Sequence, residues 1–388
     1  MREQKGYVFH RYQSWFVRYC DDVKQPDGTI KRKLVCKKLP VPYGGEYRTK
    51  KSVAEFVKEL LAPINSGKLN PESTQTVTEF VERIYFPEFV NRQLRASTQK
   101  MYLDTWTVHL KQQPLVKLTL RDFRTVHGEQ LLANIARQSN LCRNSLRHLK
   151  SFLSGVFKQA KRLGILDGIN PIQDVSIPKA PESAETHAES LDEIKAMLVM
   201  LEEPARTVVL CAALTGLRKG EIRGLRWADF DGKELFVRRS VWNKVENEPK
   251  TKKSRAPVPV VKPLADALEA HRLRAGILAQ PDLPIFAAGN GQPLNLNNLA
   301  HRVIAPVCKW HGWHAFRRGL ATNLHALGID DKEIQAILRH SNIGLTQNIY
   351  IKSVSESQVS AMDALSEKFS KTGETNNVLA TSERKVVN

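Results

Sequence analysis

Three short stretches in the second half of the chain carry residues whose types suit chemistry on a phosphate group. In TGLRKGE, Gly216 interrupts a helical pattern just ahead of Arg218. In HAFRRG, His314 and Arg317 are three residues apart and share one face of a helix. LRHSNIGLTQNIY ends at Tyr350, which is the only tyrosine in the last 286 residues. An arginine fork matches phosphate oxygens, and a tyrosine hydroxyl becomes a nucleophile once it loses its proton.

Each stretch also has an ordinary structural interpretation. Arg218 could pair with Glu221 on the surface, since the two residues are one helical turn apart. His340, in the third stretch, could pack at a helix end, and Tyr350 could belong to the core. The catalytic interpretation therefore depends on the combination of the three stretches.

A metal site is a competing interpretation of the residues just before and at His314. Cys308, His311 and His314 are three residues apart and could bind zinc. Structural zinc sites usually take pairs of ligands from two segments, and this run lacks an evident fourth ligand. The sequence therefore predicts no metal site and no cofactor.

In order and spacing, the three stretches resemble the catalytic domain of the tyrosine recombinases, the phage integrase family. That family has an arginine in a TGLRxxE context, an HxxR pair on a later helix and an LGHS…Y ending. Carried over by position, the resemblance implies five catalytic residues: Arg218, His314, Arg317, His340 and Tyr350.

The family also has a catalytic lysine on a β-hairpin between the two arginines. In this chain ENEPKTKKSRAPVPV occupies that place, with Lys250 as the best match and Lys252 as the second choice. One departure is Arg339, where the family has glycine before the histidine. An arginine there limits close backbone approach and could add a contact to phosphate, so the turn geometry is affected rather than the reaction.

The resemblance implies a reaction in which the two arginines neutralise a DNA phosphate in place of metal ions. His314 would help to remove the proton of Tyr350, and Lys250 would protonate the departing 5′ oxygen. His340 would donate a hydrogen bond to a non-bridging oxygen. The product would be a 3′-phosphotyrosyl link, and the absence of a GxxxxGK[ST] loop agrees with a reaction that needs no ATP.

The implied protein is a site-specific integrase of a phage or mobile element. It would work as a homotetramer on paired DNA attachment sites, with an accessory bending or directionality protein as a further partner. A type IB topoisomerase would share the chemistry. A non-catalytic DNA-binding or regulatory protein that retains the fold is the alternative from another class, and it is disfavoured because none of the six residues is missing.

Charge and composition agree with a DNA partner. Lys and Arg number 59 against 40 Asp and Glu, which gives a net charge of +19 and a long-range positive field. No apolar run approaches the roughly 20 residues of a membrane span, and the N-terminus has no signal-peptide pattern. Five scattered cysteines are typical of a reducing compartment. We expect a cytoplasmic, nucleoid-associated protein with no membrane partner.

The elements that must position these residues fall into several parts, since 388 residues predict two or three domains. The expected fold is multidomain and mainly α with small β parts. A basic α+β module that resembles an arm-binding domain comes first, then an all-helical domain that resembles a core-binding domain, a proline-containing linker, a mixed α/β catalytic domain and a C-terminal helix or tail. The predicted limits are 1–65, 73–170, 171–189, 190–352 and 353–388.

Two basic stripes are predicted to contact DNA, although such stripes are often only solvated faces. The first lies on a β-rich run near the N-terminus and comprises Lys31, Arg32, Lys33, Lys37 and Lys38. The second follows helical spacing between residues 143 and 163 and comprises Arg143, Arg147, Lys150, Lys158 and Lys161.

Overall fold

The computed structural model describes residues 3–25, 27–67, 70–248, 255–340 and 344. The chain divides into two compact units, Met1–Ala184 and Glu185–Asn388, and their boundary falls inside the predicted linker. Both units contain mostly helices and small sheets, which confirms the predicted fold class. The finer domain limits stay a prediction.

The first unit begins with a three-stranded antiparallel sheet in the order β1 (Tyr7–Arg11), β2 (Ser14–Lys24) and β3 (Ile30–Pro42). Burial alternates along β2, where Trp15, Val17 and Tyr19 face a small core. That core is closed by helix α1 (Ala54–Asn65). The alternation follows the period of two in a strand, and the opposite face of the sheet carries the stacked rings of Tyr7, Phe9 and Phe16, with Arg18 over Phe9.

Helices form the rest of the first unit. A continuous helix contains α2 (Val77–Phe80), π-type turns (Val81–Val90) and α3 (Asn91–Gln93). Another runs through α4 (Ala96–Asp104) and π-type turns (Thr105–Leu110). Two further helices are α5 (Thr125–Gln138) and α6 (Arg143–Arg162). Two 3₁₀ turns are Pro71–Thr74 and Pro114–Lys117. Pro87 lies among the first π-type turns, where its missing N–H prevents regular α-helical bonding.

Helix α6 has the amphipathic pattern that the sequence predicts. Seven apolar residues on one face are buried: Leu146, Leu149, Phe152, Leu153, Val156, Phe157 and Ala160. Ion pairs fix the N-terminal sheet to the helical part of the same unit. Arg121 binds the buried Asp21, and Lys37 Nζ lies 2.5 Å from an oxygen of Asp122.

The second unit begins at a capping box in which Ser190 and Glu193 satisfy the first turn of α7, as the sequence predicts. Its helices are α7 (Leu191–Met200), α8 (Ala205–Thr215), α9 (Lys219–Gly224), α10 (Lys262–Ala275), α11 (Leu296–Leu299), α12 (Trp313–Ala326) and α13 (Asp331–Leu338). A π-type turn, Ala300–Ile304, continues α11, and 3₁₀ turns lie at Trp227–Asp229 and Gly276–Leu278. Two small antiparallel pairs join β4 (Glu234–Leu235) to β7 (Val258–Pro259) and β5 (Ser240–Trp242) to β6 (Val245–Asn247).

Helix α8 lies at the centre of the second unit. Val208, Val209, Cys211 and Ala212 are all buried, so the helix is covered on several sides. In the described part of the chain, no helix combines the length and apolar character that crossing a bilayer requires.

Candidate active site

A glycine turn at the end of α8 places the first arginine. Gly216 ends the helix at φ 58°, and a Cβ at this position would lie 2.8 Å from the Leu338 side chain. Arg218 is then the residue that precedes α9, and its side chain stays 43% exposed. The N-terminus of α9 adds its own partial positive charge beside the guanidinium. This arrangement is the one expected from the TGLRKGE stretch.

The second arginine is buried and ties two segments together. Arg317, on α12, is 1% exposed. It donates from Nη1 to the Gly216 carbonyl at 2.6 Å and from Nη2 to the Leu338 carbonyl. Its Nε donates to His340 Nε2 at 3.1 Å. Three of its five N–H groups therefore donate to described residues in two segments, the end of α8 and the end of α13.

Both candidate histidines are uncharged at neutral pH. Burial first, and then the charges of Arg317 and Arg218, lower the pKa of His340 to about 4. Because His340 Nε2 accepts from Arg317, the neutral ring carries its proton on Nδ1. His314 is an exposed residue of α12 and lies near the charges of Arg318, Arg317 and Arg218. Burial first, then Arg318 and Arg317, lower its pKa to about 4 as well.

A buried carboxylate shared by two arginines supports the site. Glu221, on α9, accepts from Arg218 Nη1 at 2.8 Å through one oxygen and from Arg339 Nη2 at 2.8 Å through the other. Burial raises its pKa, but the combined charges of Arg339 and Arg218 outweigh burial and hold the pKa below its ordinary value. The pairing of Arg218 with Glu221, which could have been an isolated surface contact, thus belongs to a larger cluster.

Arg339 ends α13 in the left-handed region, at φ 56°. Glycine adopts that conformation without cost, and an arginine does so at about 1 kcal/mol. The side chain is 1% exposed and meets Glu221. Although arginine replaces the family's glycine here, the backbone of the turn keeps a left-handed conformation that glycine favours. The Arg339 side chain pairs with the carboxylate of Glu221.

The low pKa of His340 predicts a loss of stability in acid. An unfolded histidine binds its proton near pH 6.5, and the folded one near pH 4. The unfolded state therefore holds more protons in this window, and stability is lost as pH falls from 6.5 to 4. His340→Gln should remove up to about 3 kcal/mol of this dependence, measured by chemical denaturation at several pH values. His301→Gln, on an exposed residue, should keep the wild-type profile; equal profiles for all three proteins would contradict the assignment.

The remaining candidate catalytic residues lie outside the described part of the chain. These are Lys250, its alternative Lys252 and Tyr350. The predicted C-terminal helix or tail, 353–388, lies outside it too. The described residues thus contain the two arginines, the two histidines and the carboxylate that supports them.

The two predicted DNA-contacting stripes differ in how far they are exposed. On β3, Lys31, Arg32, Lys33 and Lys38 are exposed, whereas Lys37 is partly covered by its ion pair with Asp122. On α6, Arg143, Arg147, Lys158 and Lys161 are exposed. Lys150 Nζ instead donates to the carbonyls of Gln173 and Val175, at 3.1 and 2.6 Å.

A groove of about 510 Å³ runs beside α6. Three of the predicted cations, Arg147, Lys150 and Lys158, line it, together with Arg162 and the aromatic ring of Tyr102. The sequence interpretation missed Arg162, although the residue follows Lys158 at i,i+4 and the helical spacing alone could have included it.

Comparison with known proteins identifies the domain that contains the candidate active site. Residues 189–356 match the model of the phage integrase family, and this range contains all the candidate catalytic residues. Residues 189–356 of the chain are a phage integrase domain. The resemblance seen in the three stretches is therefore confirmed, and the enzyme class is that of the tyrosine-type site-specific recombinases.

A tyrosine recombinase and two integrases are similar to this chain over much of its length. A XerC-like tyrosine recombinase of Caldanaerobacter subterraneus subsp. tengcongensis is 27% identical over 83% of this chain and 90% of its own length. The Tn1549 transposon integrase in complex with transposon right end DNA matches 75% of this chain and 100% of its own, with a TM-score of 0.59 and 19% identity. A lambda integrase tetramer bound to a Holliday junction matches 90% of this chain and 96% of its own, with a TM-score of 0.55 and 16% identity.

Proposed function

We propose that this recombinase is a site-specific integrase that cleaves and rejoins double-stranded DNA to insert or excise a phage or other mobile element. The observation that carries the proposal is the convergence of Arg218, Arg317 and His340 from three separate segments into one cationic cluster. Similarity to integrases of a transposon and of lambda supports the mobile-element role. The net charge of +19 supports a cytoplasmic, nucleoid-associated protein.

The two arginines are proposed to hold the scissile phosphate. The phosphodiester carries one negative charge, and in-line attack spreads more charge over its equatorial oxygens. Arg218 has the more exposed guanidinium. Arg317 donates hydrogen bonds from three of its five N–H groups to described residues, so the other two N–H groups are assigned to the phosphate. These guanidiniums would supply the charge stabilisation that metal ions give in many nucleases.

In the cleavage step, the Tyr350 oxygen forms a bond to phosphorus while the bond from phosphorus to the 5′ oxygen breaks. His314, neutral at pH 7, is the assigned acceptor of the phenolic proton. Lys250, or Lys252 in its place, is assigned to protonate the departing 5′ oxygen. His340 is assigned to donate its Nδ1 proton to a non-bridging oxygen and to orient Arg317.

The reverse attack completes the reaction. The 5′ hydroxyl of another strand attacks the 3′-phosphotyrosine, restores a phosphodiester and releases Tyr350, so that no ATP is consumed. Exchange between two sites needs four cleavages, and we propose a homotetramer on paired attachment sites, as in the lambda integrase tetramer on a Holliday junction. An accessory DNA-bending or directionality protein is the further proposed partner.

The test is a covalent adduct on a suicide substrate that carries a nick beside the cleavage point. Wild-type protein without added divalent ion should give a protein–DNA band on a denaturing gel, and Tyr350→Phe should give none, since phenylalanine has no nucleophilic oxygen. Tyr12→Phe, at an exposed tyrosine outside the predicted catalytic and DNA-contacting residues, is the matched control and should keep the adduct. An adduct in Tyr350→Phe, or none in the wild type with its cognate site, would refute the assignment and favour a DNA-binding protein without catalysis.

A further inference from the structure

A cluster of two histidines and a glutamate lies at the start of the second unit, apart from the assigned catalytic residues. His187 and Glu189 precede α7, and His311 precedes α12. One potential ligand atom from each residue lies within 4.8 Å of the others. Within the described ranges, this is the one group of three His, Cys, Asp or Glu residues that meets this distance. The run of Cys308, His311 and His314, which the sequence analysis considered and rejected as a zinc site, shares only His311 with this cluster.

Glu189 makes the cluster unusual, because its carboxylate is buried and only partly satisfied. The residue is 1% exposed. Its Oε1 lies 2.9 Å from His311 Nδ1, whereas Oε2 has no hydrogen-bond partner among the described residues and lies 3.5 Å from His187 Nε2. Burying a carboxylate oxygen away from water is costly unless a donor or a cation compensates it. The orphaned oxygen points to a positive ligand.

The backbone holds this carboxylate in place against α12. Glu189 N donates to the Ala315 carbonyl at 3.3 Å, and Asn323 Nδ2 donates to the Glu189 carbonyl at 3.2 Å. Arg318 Nε donates to the His187 carbonyl at 2.6 Å. Gly319 is required for this approach, since a Cβ there would lie 2.2 Å from the Glu189 carbonyl oxygen. The backbone of His187 and Glu189 is therefore fixed against α12 before any ion binds.

We propose that His187 Nε2, Glu189 and His311 Nδ1 form a zinc site with water as the fourth ligand. Two imidazole nitrogens and one carboxylate suit Zn²⁺, whereas Mg²⁺ and Ca²⁺ take oxygen ligands. Zinc bonds of this kind place neighbouring ligand atoms about 3.3 Å apart in a tetrahedron. In Glu189, Oε1 lies 2.9 Å from His311 Nδ1 and Oε2 lies 3.5 Å from His187 Nε2, so each oxygen is close to one of the two nitrogens. Glu193 Oε1, 3.1 Å from His187 Nε2, adds negative charge beside the ion.

The ion would act on structure and not on the scissile phosphate. It would cross-link residues 187–189, where the second unit begins, to the N-terminal end of α12. That helix carries His314 and Arg317. Zinc is therefore expected to stabilise the helix that holds part of the cationic cluster, and its binding can be measured without DNA.

The experiment uses the full chain, stripped with chelator, desalted and titrated with ZnCl₂ in a calorimeter. Wild type should bind one Zn²⁺ per chain, and Co²⁺ in its place should give the visible absorption of a tetrahedral site. His187→Gln and His311→Gln should each weaken zinc binding by about tenfold or more, because each removes one of three protein ligands. His325→Gln, on α12 but outside the cluster, should bind zinc as the wild type does.

Thermal unfolding provides a second readout. Zn²⁺ should raise the Tm of the wild type and of His325→Gln, and should leave the Tm of His187→Gln unchanged. Far-UV circular dichroism at 25 °C checks that each variant is folded. The proposal is overturned if the wild type binds no stoichiometric zinc, or if His187→Gln and His311→Gln bind it as tightly as His325→Gln does.

Discussion

Arg218→Ala is expected to reduce cleavage of a core DNA site by about 10³-fold or more, because the variant lacks an exposed guanidinium assigned to the charge of the transition state. The free energy of unfolding should fall by about 1–2 kcal/mol, because Arg218 is 43% exposed but the Glu221 oxygen that it binds is buried, while Glu221 keeps its bond to Arg339. Single-turnover adduct formation and urea denaturation measure the two effects.

Arg317→Ala should lose both activity and stability. Its guanidinium is buried and binds the carbonyls of Gly216 and Leu338, so its removal leaves buried acceptors without donors. We expect the same loss of cleavage and a destabilisation of about 3 kcal/mol or more. Arg317→Lys keeps the positive charge but lacks the planar guanidinium. It should therefore retain only part of the cleavage activity and part of the stability that Arg317→Ala loses.

Measurement of DNA affinity distinguishes a catalytic role of Arg218 from a general electrostatic contribution to binding. Binding is spread over many cations, so Arg218→Ala should weaken the affinity for a core site by less than about tenfold. Arg302→Ala, an exposed arginine outside the cluster, is the matched control and should keep both cleavage and stability. If Arg218→Ala lost binding and cleavage in equal measure, the assignment of Arg218 to the phosphate would be wrong.

Glu221→Ala is expected to destabilise the protein by about 3–5 kcal/mol, because it leaves the buried Arg339 without its carboxylate. Arg339→Gly should cost much less, since glycine relieves the left-handed backbone and Glu221 still pairs with Arg218. The double variant should recover most of the stability lost in Glu221→Ala. Chemical denaturation of all four proteins measures the coupling between the two side chains.

An exposed carboxylate is the control for this cycle. Asp266 pairs with Lys262 on α10, with both side chains more than half exposed, and Asp266→Ala should change stability by less than about 1 kcal/mol. A loss below about 1 kcal/mol in Glu221→Ala would show that the buried pair does not stabilise the fold. Additive effects in the double variant would show that Glu221 and Arg339 act independently.

Local periodicity predicted much of the fold and of the site. The apolar spacing of α6 marked its buried face from Leu146 to Ala160, and the spacing of His314 and Arg317 placed both on α12. Such signals act within one or two helical turns, where sequence separation fixes spatial separation.

Long-range partners could not be predicted in the same way. Glu221 and Arg339 are 118 positions apart, and only the folded chain brings them together. Lys37 and Lys150 look like members of uniform basic stripes, but they bond to Asp122 and to main-chain carbonyls. A periodic pattern shows which face a side chain occupies, and the acceptors that it meets depend on tertiary packing.

The hydrogen bonds of Arg317 affect how fast the enzyme associates with DNA. The hydrogen-bond acceptors described above are two main-chain carbonyls and a neutral imidazole. Because none of them carries a negative charge, they do not neutralise the positive charge of the guanidinium. Among the described residues, three guanidiniums, those of Arg317, Arg218 and Arg339, face one carboxylate, Glu221, which gives these four side chains a net charge of +2. An anion approaching from the bulk solution is drawn along this potential before any contact forms. Capture of a target site should therefore slow as ionic strength rises, while chemistry after docking stays nearly constant.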